Sequence, residues 1–179
     1  MARKSWVLSV VACGAGPAAQ LGTLVKQAIE RGWTVQVVAT PSALAFFDAA
    51  QIEALTGSPV RSQHRKVGTA RSRVPDAIIV APATFNVINQ WALGVADSYA
   101  LAVLAEQTGM GIPIVALPAV SGPLASRPQF ARSVKALRAE GVSILLGPGA
   151  AAPAGDGDED FPWQLALDEA AEMTGFGEA

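Results

Sequence analysis

The feature that most constrains this chain is an alternation, sustained from end to end, of short apolar runs with segments of helical period. Residues 6–12, 34–39, 77–81, 112–117 and 142–146 form the predominantly apolar runs. Such runs predict strands covered on both faces. After the first of them, Leu21, Leu24, Val25, Ala28 and Ile29 recur at helical spacing from Ala18 onward, and Gly32 stops the helix. Further helices are predicted over 85–94, 98–107, 127–140 and 163–173, with two short ones over 40–47 and 48–56. Residues 59–61 read as a short edge strand and 62–75 as a long polar, basic loop. Strand followed by helix, repeated, calls for a mostly parallel sheet with right-handed crossovers and helices on both faces. The predicted fold is therefore a three-layer α/β, doubly wound parallel sheet. No internal repeat or linker divides the chain, so residues 1–179 read as one domain, with the Gly-, Ala-, Pro- and Asp-rich stretch 147–160 expected to be mobile.

Composition excludes several partners. Hydrophobic residues make up 51% and aromatics only 6%, which suits close helix-on-sheet packing. A net charge of -2 gives no general attraction to nucleic acid or to an anionic membrane. No apolar run reaches the roughly 18 residues of a spanning helix. The basic start followed by an apolar run imitates a signal peptide, but it leads into a Gly-containing turn and an amphipathic helix, so it reads as a buried first strand. The single cysteine, Cys13, excludes an internal disulfide and fits a cytoplasmic location. No metal site is predicted.

In doubly wound sheets ligands bind beyond the carboxyl ends of the strands, so the loops there carry the functional expectation. Gly14-Ala15-Gly16 follows the first strand and precedes a helix, an arrangement that lets backbone amides approach a phosphate. It lacks the full G-x-G-x-x-G spacing, and a turn that needs glycine explains it equally well. Thr40-Pro41-Ser42 follows the second strand, where its hydroxyls could bond a phosphate or polyol, although an ordinary N-cap needs only one of them. Pro82-Ala83-Thr84-Phe85-Asn86 follows the most hydrophobic strand, with Asp97 and Ser98 just beyond Gly94. The density of small and hydrogen-bonding groups there favours a site for a phosphate-bearing cofactor over a simple capped helix.

At these residues the chain resembles the homo-oligomeric flavin-containing cysteine decarboxylase family, which includes phosphopantothenoylcysteine decarboxylases and peptidyl-cysteine decarboxylases. The family signature Pro-Ala-Ser/Thr-Ala-Asn-Thr, then a helix, then Gly-x-x-Asp-Asn, corresponds to Pro82-Ala83-Thr84-Phe85-Asn86-Val87 and Gly94-Val95-Ala96-Asp97-Ser98, with Phe85, Val87 and Ser98 departing from it. The resemblance covers roughly residues 5–147. It implies a flavodoxin-like, Rossmann-like fold that binds FMN and assembles as trimers, often dodecamers, with the flavin between subunits. By resemblance Gly14, Ala15, Gly16, Thr40, Ser42, Ala83, Thr84, Asn86, Asp97 and Ser98 hold the cofactor, and Phe46 packs on the flavin.

The family reaction oxidises a cysteine thiol to a thioaldehyde, with FMN as hydride acceptor and the thiocarbonyl as electron sink for loss of CO2. The resemblance makes His64, the chain's one histidine, the candidate catalytic residue; histidine suits proton transfer near neutral pH. Arg61, Arg65, Lys66, Arg71 and Arg73 surround it and read either as a solvated basic loop or as a recognition site for a carboxylate. The family's substrate clamp, Pro-x-Met-Asn-x-x-Met-Trp, is replaced by Pro118-Ala119-Val120-Ser121-Gly122-Pro123-Leu124-Ala125. Pro118 remains, and Ser121 stands where the substrate-binding asparagine would be. Residues 147–160 lack the cysteine with which coenzyme A pathway members complete their reaction. The expected activity is therefore FMN-dependent oxidative decarboxylation of a cysteine-like group, as at a peptide C-terminus, ending at the enethiol. Alternatives are a flavoprotein of other or no activity, a phosphopantothenoylcysteine decarboxylase, a prenyl-FMN synthase-like transferase, and an oligomeric scaffold without cofactor.

Overall fold

The computed structural model describes residues 5–64, 72–146 and 161–177. Arg65, Lys66, Arg71 and the expected mobile stretch 147–160 lie outside these residues. Five strands, β1 (Val7–Ala12), β2 (Thr34–Ala39), β3 (Ala77–Ala83), β4 (Ile114–Pro118) and β5 (Ser143–Ile144), form one sheet in the order β2-β1-β3-β4-β5. All pairings are parallel. This is the flavodoxin-like order, whose direction of winding reverses between β1 and β3. β1, β3 and β4 are buried along their whole length, as their continuous apolar sequence requires.

The helices divide between the two faces by the alternation of side chains along the strands. Val10, Val37 and Ile79 face α1 (Leu21–Glu30), α2 (Ala49–Thr56) and α7 (Trp163–Thr174), joined by Leu24, Ile52 and Leu167. Val11, Val38 and Val80 face α3 (Phe85–Ala92), α4 (Tyr99–Gly109) and α6 (Pro128–Ala139), joined by Ile88, Leu104 and Val134. Polar residues mark the helix starts: Asp48 Oδ1 accepts from the Ala50 N–H, Thr84 Oγ1 from the Val87 N–H and Ser98 Oγ from the Leu101 N–H.

Several boundaries differ from the sequence expectation. Residues Gly16–Gln20 form a 3-10 turn ahead of α1, because Pro17 enters it without an N–H to donate. Residues 59–61 make only an isolated bridge, Val38 with Arg61. β4 starts at Ile114, after the positive-φ turn at Gly111 and Pro113. β5 keeps two residues of the predicted run. β3 continues through the cis Ala81–Pro82 peptide to Ala83, which pairs with Pro118 across a register shift. A short helix, α5 (Gly122–Ala125), stands where no element is predicted.

Candidate functional site

Three backbone bonds tie together the strand exits where the winding reverses. The Thr40 N–H donates to Ala12 O at 2.9 Å, the Cys13 N–H to Pro82 O at 3.2 Å, and the Ala119 N–H to Ala83 O at 2.9 Å. The loops after β1, β2, β3 and β4 thereby form one rim. Above it lies a cleft of about 510 Å3, within the roughly 300–1,000 Å3 of small-molecule sites.

Gly14, Ala15, Thr40, Ser42, Thr84, Asn86, Asp97, Ser98 and Ser121 all line this cleft. The fold thus brings together residues that the sequence separates by more than a hundred positions. Gly14 and Ser42 come so close that a Cβ on Gly14 would lie 2.6 Å from Ser42 Oγ. Thr40 is buried, and its Oγ1 lies 3.1 Å from Ser42 Oγ. Thr84 and Ser98 serve as N-caps, the Thr84 side chain also meets the Cys13 thiol, and Ser98 retains a hydroxyl hydrogen to donate. Asn86 is exposed in the first turn of α3.

Not every expected site residue offers a group to the cleft. Gly16 opens the 3-10 turn and is not among the lining residues. Ala83 is fully buried and Pro118 is buried in β4, so both support the floor through strand pairing and expose nothing to a ligand. Phe46 is exposed at the end of the short turn Ala43–Ala45, outside the lining. The Ala15 N–H is committed to Cys13 O at 3.0 Å. Asp97 lines the cleft, where its carboxylate accepts hydrogen bonds only.

His64 lies in a different place. It is exposed in a second cleft, of about 520 Å3, together with Ser9, Gln36, Arg61, Arg73 and Glu106. Its ring meets Tyr99 edge-on, with centroids 5.3 Å apart. Tyr99 follows Ser98, so the start of α4 stands between the two clefts. Beneath the rim, burial pushes the Cys13 thiol up to about 12, although contacts to the Thr84 backbone and side chain pull it down. It is a packing residue.

The sequence reading missed Gln90, Val120 and Leu124 as lining residues. Gln90 carried a usable signal, since it follows Asn86 by one helical turn and so shares its face.

A model of the flavoprotein family matches residues 2–164. The chain belongs to the flavoprotein family. This flavoprotein is 33% identical over 153 residues to the coenzyme A biosynthesis bifunctional protein CoaBC of Mycolicibacterium smegmatis. The match covers 80% of this chain and 35% of that protein, so the chain spans only part of the length of the curated relatives it matches. Among solved structures, a PPC decarboxylase variant complexed with pantothenoylaminoethenethiol superposes with a TM-score of 0.75 at 18% identity, covering 98% of this chain and all (100%) of that one. The FMN-dependent cysteine decarboxylase SpaF gives a TM-score of 0.65 at 25% identity, covering 94% of this chain and 98% of that one.

Proposed function

We propose that this flavoprotein is an FMN-dependent oxidative decarboxylase of a cysteine-like group, with a peptide C-terminal cysteine as substrate and an enethiol as product. One observation carries the reading: a single cleft at the reversal of winding gathers Gly14, Thr40, Ser42, Thr84, Asn86 and Ser98. Flavodoxin-like sheets place FMN at that switch point. The residues fit the cofactor. The Gly14–Ser42 approach closes the turns after the first two strands into one cradle, and Thr40 and Ser42 add hydroxyls suited to a phosphate. Asn86 and Ser98 offer neutral donors for a polar ring edge or polyol, and Thr84 lines the cleft beside them.

FMN, when bound, supplies the two-electron acceptor that turns the thiol into a thiocarbonyl. The residues of the chain bind and orient. Ser121 is left without a capping bond and faces the cleft, where it offers one donor to the substrate carboxylate. Val120 and Leu124 exclude water on that side. Loss of CO2 leaves charge that the adjacent thiocarbonyl takes up, and one proton must then be delivered. We assign that proton transfer to His64. It lines a different cleft from the cofactor residues of its own chain, which supports an assembly of identical subunits, a trimer or a dodecamer. There the flavin lies between subunits and His64 serves a neighbour's site.

Kinship with the CoaBC protein favours a second reading, a phosphopantothenoylcysteine substrate. Incubation with peptides ending in cysteine, and separately with phosphopantothenoylcysteine, tests both. The first reading predicts that the peptides lose CO2 plus two hydrogens. Conversion of phosphopantothenoylcysteine alone would support the second and overturn the first. A cytoplasmic setting accords with both, and none of the helices among the described residues is long and apolar enough to cross a membrane.

A further inference from the structure

Among the described residues lining the 510 Å3 cleft, Asp97 bears the one formal charge. The fold presents it there. Gly94, with φ of +71°, turns the chain back at the end of α3. The Gly94 N–H donates to Trp91 O and the Val95 N–H to Gln90 O, both at 2.9 Å. The loop that carries Asp97 is thus fastened to the turn of α3 that carries Gln90. Neither the Asp97 carboxylate nor the Gln90 amide bonds to another described side chain or backbone group. The fold does not use them, and both face the cleft.

The other wall is apolar and fixed. Leu124 and Val120 line it. The turn beneath Leu124 is held by the Ala125 N–H donating to Ser121 O at 2.8 Å and by the Ser126 hydroxyl donating to Pro123 O at 2.9 Å. A carboxylate, a carboxamide with one acceptor and two donors, and an apolar wall match a peptide better than a phosphate ester. The FMN phosphate is assigned to the turns of Gly14, Thr40 and Ser42, whereas a phosphate on the substrate, with nearly two negative charges at neutral pH, would meet Asp97 with like charge.

We propose that Asp97 is the specificity-determining residue of this cleft. It favours a peptide with a basic side chain next to the reacting cysteine and disfavours an acidic or phosphorylated one, while Gln90 bonds the adjacent peptide amide. The proposal rests on the reading of this cleft as the flavin and cysteine-substrate site. Asp97 is exposed, so its discrimination is small, about fivefold for one charge reversal, and salt weakens it.

The test uses FMN-loaded protein and peptides ending in serine, which bind without reacting and differ only in Lys or Glu at the preceding position. Binding is measured by calorimetry at low and high ionic strength. The lysine peptide is expected to bind about fivefold more tightly at low salt, with the gap closing at high salt. Asp97→Asn removes the gap, Asp97→Lys reverses it, and Gln90→Ala weakens both peptides alike. Equal affinities in the wild type, a gap that survives Asp97→Asn, or no peptide binding at all overturns the proposal. Failure of the decarboxylase reading is separate: cysteine-ended peptides would then stay unconverted while the charge gap persists.

Discussion

A Cβ placed on Gly14 would stand 2.6 Å from Ser42 Oγ, 2.8 Å from Ser42 Cβ and 3.0 Å from its carbonyl carbon. The turn after β1 and the turn after β2 are thus in contact at a position where the first of them has no side chain. This contact, rather than a need for unusual backbone angles, is why glycine stands there, since Gly14 is not among the positive-φ glycines.

Gly14→Ala is therefore expected to push the two turns apart. Overpacking of this kind costs about 1–3 kcal/mol, and FMN affinity should fall at least tenfold because the cradle opens. Pairing it with Ser42→Gly removes the two shortest contacts and should recover part of the stability. Thermal denaturation and flavin-fluorescence titration of the single and double variants check this.

Thr84 and Asn86 separate structure from binding. Thr84→Ala removes the N-cap of α3, at about 1 kcal/mol, whereas Thr84→Ser keeps it. Asn86 is exposed and bonds no described residue, so Asn86→Ala should change stability by less than about 0.5 kcal/mol while weakening FMN binding. A melting curve beside a cofactor titration distinguishes the two.

Cys13 gives a pH prediction. Burial raises its thiol from the ordinary 9.0 to about 12 in the folded chain, so above pH 9 the unfolded chain loses a proton that the folded chain keeps. Its contribution to stability is complete below pH 9 and declines as pH rises from 9 toward 12, at a limiting slope of about 1.4 kcal/mol per pH unit. Cys13→Ala should flatten the alkaline limb of stability against pH. The native thiol should also resist aromatic disulfide reagents until the protein unfolds.

His64 tests the shared site. His64→Asn should keep FMN and lose turnover, while Asn86→Ala should hold FMN too weakly for turnover. Coexpressed, the two variants should recover activity that neither has alone, because a mixed assembly rebuilds intact sites from one cofactor cleft and a neighbour's histidine. Absence of recovery would contradict the sharing.

Much of this was legible in the sequence because apolar runs and caps are local signals. Residues 77–81 with Thr84 announced a buried strand, its exit and a helix start, and the structure has all three. The loops after the strands could be ranked because a parallel sheet places every strand exit on one edge. What could not be read is lateral position. His64 precedes β3 in sequence, yet the crossover carries it past the bridge between Val38 and Arg61 into the second cleft. Nothing in its spacing from Asp76 says which side of α4 it takes. The direction of Phe46 was hidden for a similar reason, because proximity to Ser42 along the chain does not fix which way a short turn points. α5 was hidden because a helix of four residues, entered through Pro123, leaves no periodic trace.

FMN is expected in the cleft beside Gly14 and Ser42. Purified protein, from cells grown with ample riboflavin, should show a flavin absorption band and release FMN on denaturation at about one per chain, and Asn86→Ala should lower that content. A colourless protein that also fails to take up added FMN would contradict the account.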